Sequence, residues 1–409
     1  MGQAFRQCSS ALLSFTIFMI GIGYMNTMVP TRLNLEGVGT WGLGIISAGF
    51  FIGLIAGSIS TERFIVRVGH IRAYATFATG LAIVTVLMGF YFEFTFWFGL
   101  RLVFGYLLAA LYIVIESWLL ASSTPTTRGV ILSWYMIVLY GSQALGQALI
   151  KYTDPTVLQS YCIAMILCAA SVFPLALTSV SMPEFDEPSA LKFKKLYIIS
   201  PSGVIGCLVS GVILGAMYGL LPEFVLQNGF SKTSLSGIMA TVFMGGAILQ
   251  YPTGYISDKI DRRHVMIIVC FLNALSCIGV ILSVSSPILF YVSLFFFGGF
   301  TFVMYPLSIS HACDYLEPKD IVAATQGLLL AFSFGCIFGP LLAPLPMKIV
   351  GTQGLFIFMA TASAGLGAFF VWRSTQGHNV PVEDQDPFVA VTATSPVSSE
   401  LDPRGEEEA

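Results

Sequence analysis

Uncharged runs of about twenty residues constrain this chain more than any other feature of it. Ala11 to Val29, Thr76 to Tyr91 and Val265 to Val284 hold no Asp, Glu, Lys or Arg, and about twenty apolar residues in a helix cross a ~30 Å hydrocarbon layer. With 56% hydrophobic and only 10% charged residues, the chain has more apolar surface than a water-soluble core of its size could hide. A soluble enzyme is excluded. The fold expected is an all-α integral membrane protein of twelve transmembrane helices, with spans near 11–30, 42–62, 73–92, 96–120, 130–150, 158–180, 203–226, 234–256, 265–284, 288–311, 321–346 and 353–372. The first run is kept as a span and not read as a signal peptide, because Asn26-Thr27-Met28-Val29-Pro30 gives no small-x-small cleavage site.

Charge orients these spans. Fourteen Lys and Arg (positions 6, 63, 67, 72, 128, 192, 194, 195, 259, 262, 263, 319, 373 and 404) fall on one side, against four (32, 151, 232 and 348) on the other. The positive-inside rule then predicts a multi-pass inner (plasma) membrane protein with both termini cytoplasmic. Residues 1–180 form one six-helix half and 203–373 the other, joined by a polar cytoplasmic linker at 181–202. The tail 374–409 holds eight Asp or Glu against one Arg, a composition expected to stay disordered. None of the eight cysteines forms a C-x-x-C pair, so they are expected to pack as small hydrophobes. Trp41 and Trp97 suit the outer interface belt, and Trp372 the inner one.

The two halves repeat each other. Gly23, Pro30 and Gly37 recur 192 positions later as Gly215, Pro222 and Gly229; Gly105, Tyr112, Ser117 and Gly146 recur 193 positions later as Gly298, Tyr305, Ser310 and Gly339. A run of matches at one offset means duplication. Two parallel halves of this kind place the substrate near the midplane between them and alternate access by rocking.

After the eighth span the chain reads Gly254-Tyr255-Ile256-Ser257-Asp258-Lys259-Ile260-Asp261-Arg262-Arg263. This resembles the signature loop of the major facilitator superfamily, and the resemblance extends from about 10 to 375. With Asn26 to Pro30, Ile115-Glu116-Ser117, Gln250-Tyr251-Pro252 and Met304-Tyr305-Pro306, the wording looks most like the YcaD-type branch. The resemblance implies a conformational latch at Gly254, Asp258 and Arg262, with Arg67 and Gly69 from the first half. That first-half copy is eroded, because Glu62 and Val66 stand at the family's glycine and aspartate positions. Span five carries Gln147 where the family's antiporter signature has proline, while span eleven keeps Gly339-Pro340.

Ionisable groups inside spans are costly and therefore functional candidates. Arg101 fits the family's span-four arginine, which the resemblance links to proton transfer; the alternatives are bonding to a neighbour's carbonyls or snorkelling to the outer surface. Glu116 is either a proton carrier or the fixed partner of a cytoplasmic arginine such as Arg128. His311, three residues before Asp314, is expected to be a capping or interface group. Candidate cavity residues are Tyr24, Asn26, Tyr112, Gln143, Gln147, Tyr218, Tyr305 and Gln326, with Gln250 beside them. So few fixed charges favour a neutral, zwitterionic or amphiphilic solute.

The sequence therefore predicts a secondary active transporter, moving a small organic molecule by alternating access in proton-coupled efflux. Uptake by symport, a non-transporting solute sensor on the same fold and a channel remain as rivals. No Walker-type phosphate loop, metal cluster or nucleophile with its base is present, so no enzyme, cofactor or nucleic-acid partner is expected. The working unit is expected to be a monomer in the bilayer, with protons and the solute as partners.

Overall fold

A computed structural model describes residues 2–123, 127–177, 193–316, 318–376, 380–391, 394–399, 402 and 404. The first half consists of α1 (Gly2–Leu35), α2 (Thr40–Val68), α3 (His70–Phe90), α4 (Phe94–Ala121), α5 (Arg128–Ile150) and a sixth span broken into α6 (Leu158–Ala170) and α7 (Val172–Ala176). After the short α8 (Phe193–Ile199), the second half follows as α9 (Pro201–Gln227), α10 (Lys232–Ser257), α11 (Arg262–Ser283), α12 (Pro287–Cys313), α13 (Pro318–Leu342) with its continuation α14 (Pro344–Val350), and α15 (Gly354–Ser374). Among the described residues, twelve helical segments are long and apolar enough to cross a membrane.

Local chemistry sets the helix starts. The Glu93 carboxylate accepts from the amides of Thr95 and Phe96 at 2.9 and 2.6 Å, satisfying donors that the first turn of α4 leaves open. Ser200 caps α9 ahead of Pro201, and Asp261 caps α11 through the Arg263 amide at 2.9 Å. Most predicted spans lie within their helices, but α2 runs on to Val68 and α1 begins well before residue 11. Within the predicted linker 181–202, residues 193–199 are helical and α9 starts at Pro201; its first part, 181–192, lies outside the described residues. The cysteines are all free and, Cys162 apart, buried.

The duplication is visible as geometry. Gly37 and Gly229, repeat mates, both adopt a positive φ, of 73° and 80°, which costs only glycine nothing. A Cβ on Gly23 of α1 would collide with the backbone of Gln143 in α5; one on its mate Gly215 of α9 would meet the backbone of Cys336 in α13. Gly105 lies against the Phe50 carbonyl and Gly298 against that of Val242, again matching positions in the two halves. Small residues thus let equivalent helix pairs touch backbone to backbone, as packing in lipid requires. Gly298→Ala is expected to lower stability by about 1–3 kcal/mol. Gly365→Ala, where nothing lies within 4 Å of the added carbon, should be neutral or gain up to ~1 kcal/mol. Thermal unfolding of the two variants in detergent checks the pair, and equal melting temperatures would refute the packing argument.

The halves meet through α1 with α9, α2 with α9 and α13, and α5 with α10. We call the face where α1 begins and α15 ends the linker face, and the opposite one the far face. At the far face Thr40 Oγ1 donates to Glu223 at 2.8 Å, and Ser236 Oγ donates to the Gln147 carbonyl at 2.6 Å. Asp154, held below the ordinary carboxylate range chiefly by the Thr156 amide, faces Lys232 of the other half at 3.7 Å. This side of the molecule is closed.

Candidate functional site

Between the halves lies a cavity of about 140 Å³, close to the size of an engineered pocket of ~150 Å³ that accepts benzene. Both halves build it: Asn26 of α1, Ser47 and Phe50 of α2, Arg101 and Tyr112 of α4 and Gln143 of α5 face Tyr218 of α9, Tyr305 of α12 and Ser333 of α13. Aromatic rings close it in, with Tyr140 edge-on to Phe302 at 5.1 Å and Tyr305 against Phe332 at 4.6 Å.

Arg101 is the one charged side chain among the described residues lining this cavity. It is buried, 6% exposed, and its guanidinium lies 4.4 Å from the Phe50 ring and 5.2 Å from Phe104. Its Nε and Nη1 have no hydrogen-bond partner. Neither alternative held for it from the sequence applies to those two nitrogens: they reach no carbonyl, and the side chain is too buried to snorkel. The lining carries a single fixed charge among its described residues, and that charge is positive.

Glu116 is fully buried at the linker-face end of α4. Tyr135 Oη donates to its Oε1 at 2.5 Å. Thr394 Oγ1 and Ser395 Oγ donate to Oε1 and Oε2, so two hydroxyls of the C-terminal tail reach this carboxylate. The tail was expected to be disordered, yet Val389, Val391 and Val397 are buried, and Val391 and Thr394 join the cavity lining. Burial of apolar side chains against the bundle, with hydroxyls on a carboxylate, offsets the ordering entropy that an acidic composition alone could not.

Of the eight cavity candidates, Asn26, Tyr112, Gln143, Tyr218 and Tyr305 line the space, whereas Tyr24, Gln147 and Gln326 do not. Gln147 bridges helices instead: its Nε2 donates to the Gly23 carbonyl and its Oε1 accepts from Thr27 Oγ1, both at 2.7 Å. Tyr24 is fully buried where α1 meets α5, and Gln326 is half-buried away from the cavity. Gln250 is also outside the lining. Sequence reasoning missed span two, whose neighbouring aromatics Phe50 and Phe51 were the available signal.

The expected latch divides. Arg262 is fully buried and holds together Asp314 at 2.5 Å, the Ser310 carbonyl at 3.1 Å, Asp258 at 3.3 Å and the Asp386 carbonyl of the tail at 2.6 Å. Burial raises the Asp314 carboxyl to about 6, with Arg262 opposing. A Cβ on Gly254 would strike the Phe388 ring of the tail. Arg67 is exposed at the end of α2, and Gly69, with φ of 85°, turns the chain into α3; neither joins this cluster. His311 is buried, its ring 5.3 Å from that of Tyr315. Arg262→Leu would leave Asp314 buried and uncompensated, at an expected cost of about 3–5 kcal/mol, read as a lower melting temperature. A loss under about 1 kcal/mol would show that the cluster is not structural.

The model for the Major Facilitator Superfamily matches residues 203–399. The uncharacterized MFS-type transporter YcaD of Escherichia coli O7:K1 (strain IAI39 / ExPEC) is 30% identical over 358 residues, covering 86% of this chain and 92% of that protein. Among solved structures, the nucleoside transporter NupG aligns with a TM-score of 0.72 at 14% identity over 92% of this chain and 100% of its own. A bacterial homolog to the human lysosomal transporter Spinster, in an inward-facing and occupied conformation, aligns at 0.74 with 12% identity over 94% and 99%.

Proposed function

Because the chain belongs to the major facilitator superfamily, whose members carry small molecules across membranes and are not enzymes, we propose that it is a secondary active carrier of small organic anions with an apolar body. The observation that carries this reading is Arg101. Its buried guanidinium, without a partner at Nε or Nη1, lines an aromatic cavity that both halves share. An unsatisfied buried charge is expensive, and a carboxylate matches the guanidinium fork in charge and shape.

In this reading the protein lies in the inner membrane with its linker face towards the cytoplasm, as fourteen basic residues against four argue. With the far face closed, the solute would reach the cavity from the linker face, the side from which an exporter loads. Glu116 carries the coupled proton: a buried carboxylate ringed by hydroxyls can be charged or neutral according to which side it meets.

The test is flux in inside-out vesicles with an acid interior, comparing aromatic and aliphatic monocarboxylates with their uncharged amides. Saturable, gradient-driven accumulation of acids but not amides is expected. If amides accumulate as well as acids, the anion reading fails; if no compound moves uphill with either the full chain or a chain ending at Gln376, the carrier reading fails.

A further inference from the structure

We propose that the C-terminal tail is a built-in plug, which seats in the linker-face mouth of the cavity and holds the protein out of its transport cycle until it is released. Its path is fixed at successive points. The Asp386 carbonyl accepts from Arg262 Nη2 at 2.6 Å, and the Phe388 amide donates to Asp258 Oδ1 at 2.7 Å. The Phe388 ring occupies the space that Gly254 leaves open. Val391 is buried in the cavity wall, and Thr394 and Ser395 donate to Glu116. Further on, Arg404 pairs with Asp402 at 2.5 Å and donates to Ser310 Oγ of α12 at 3.1 Å.

These anchors lie on both halves. Glu116 and Tyr135 belong to the first; Asp258, Arg262 and Ser310 belong to the second. The short 3₁₀ turn Pro396–Ser399 touches α4 of the first half and α13 of the second. A peptide in that position is a wedge. For the far face to open, the halves must rock together on the linker face, and they cannot while chain fills the gap between them. Tail docking and the far-face-open state therefore exclude each other.

Charge and chemistry favour this occupant. The tail carries eight acidic residues against one arginine, and its described residues lie on the face where the basic residues gather. Glu116 is the receptor for its hydroxyls: its two oxygens accept from Tyr135, Thr394 and Ser395 together. A plug docked 99% of the time would raise the apparent dissociation constant of a competing solute about 100-fold, without changing any residue of the site.

Access to Cys336, a native thiol lining the cavity, reports the plug and needs no transported substrate, so its outcome is independent of the carrier reading. In inside-out vesicles, a membrane-impermeant maleimide is added to the full chain, to a chain ending at Gln376 and to the Thr394→Ala/Ser395→Ala double variant, with Cys336 adducts followed by mass spectrometry. Ser333→Cys, a second lining position, is run in parallel. The shortened chain is expected to react at least tenfold faster than the full chain, with the double variant between them. Amide exchange of residues 386–397 in the purified full chain is also measured against a synthetic 380–409 peptide, with at least tenfold protection expected. Equal alkylation rates at both positions, or exchange at the rate of the free peptide, overturns the proposal. The double variant and the exchange measurement decide the matter even if the shortened chain does not fold.

Discussion

Arg101→Gln lowers affinity for organic monocarboxylates by about two to four powers of ten. Two charge-assisted hydrogen bonds of roughly 1.5–3 kcal/mol each are lost, and every 1.4 kcal/mol is a factor of about ten. Arg101→Lys keeps the charge but not the planar fork, so an intermediate loss of about tenfold is expected. The same experiment controls for damage to the fold: an uncharged amide of the same shape should bind wild type and Arg101→Gln within about twofold of each other. Binding to the chain ending at Gln376 separates this result from the influence of the tail. Should acid and amide lose affinity equally on substitution, Arg101 holds the wall of the cavity together and does not read the solute's charge.

Glu116→Gln gives the second large effect, on coupling and not on binding. Gln preserves the size of the side chain but cannot take up or release a proton, so pH-driven uphill movement is expected to fall about 100-fold or more. Exchange of labelled for unlabelled solute, which needs no net proton movement, is expected to persist. The split matters because Glu116 also receives the tail; it must therefore be measured in the shortened background, where lost docking cannot imitate lost coupling. Full pH-driven accumulation by Glu116→Gln would remove this residue from the proton path.

Much of the architecture was legible because its causes are local or repetitive. A bilayer demands about twenty apolar residues per span, and a duplicated chain repeats its glycines, so the pairs Gly23/Gly215 and Gly105/Gly298, legible as a repeat in the sequence, sit at matching helix contacts. The site was legible only in part. Asn26, Tyr112, Gln143, Tyr218 and Tyr305 could be chosen as polar or aromatic residues in the spans that line the centre. Gln147 looked equally suitable, but it spends its amide bridging α1 and α5, and the sequence carries no mark that separates the two fates. In span two, Phe50 and Phe51 line the cavity, although no polar residue there singled that span out in the sequence.

The sequence by itself determined the membrane as solvent, the number of spans and the twofold repeat, since each follows from composition and spacing along one dimension; the loop from Gly254 to Arg263 carried the resemblance to the family. Tertiary structure decided which way helix faces turn, and with that the isolation of Arg101 in an aromatic cavity, the burial of Arg262 among Asp258, Asp314 and the tail, and the seating of Thr394 and Ser395 on Glu116. The last of these joins residues 278 and 279 positions apart. No pattern in an acidic, proline-containing tail specifies such a contact; it exists because the packed bundle leaves a carboxylate in its mouth and an apolar wall beside it, and the tail supplies hydroxyls and valines that satisfy both.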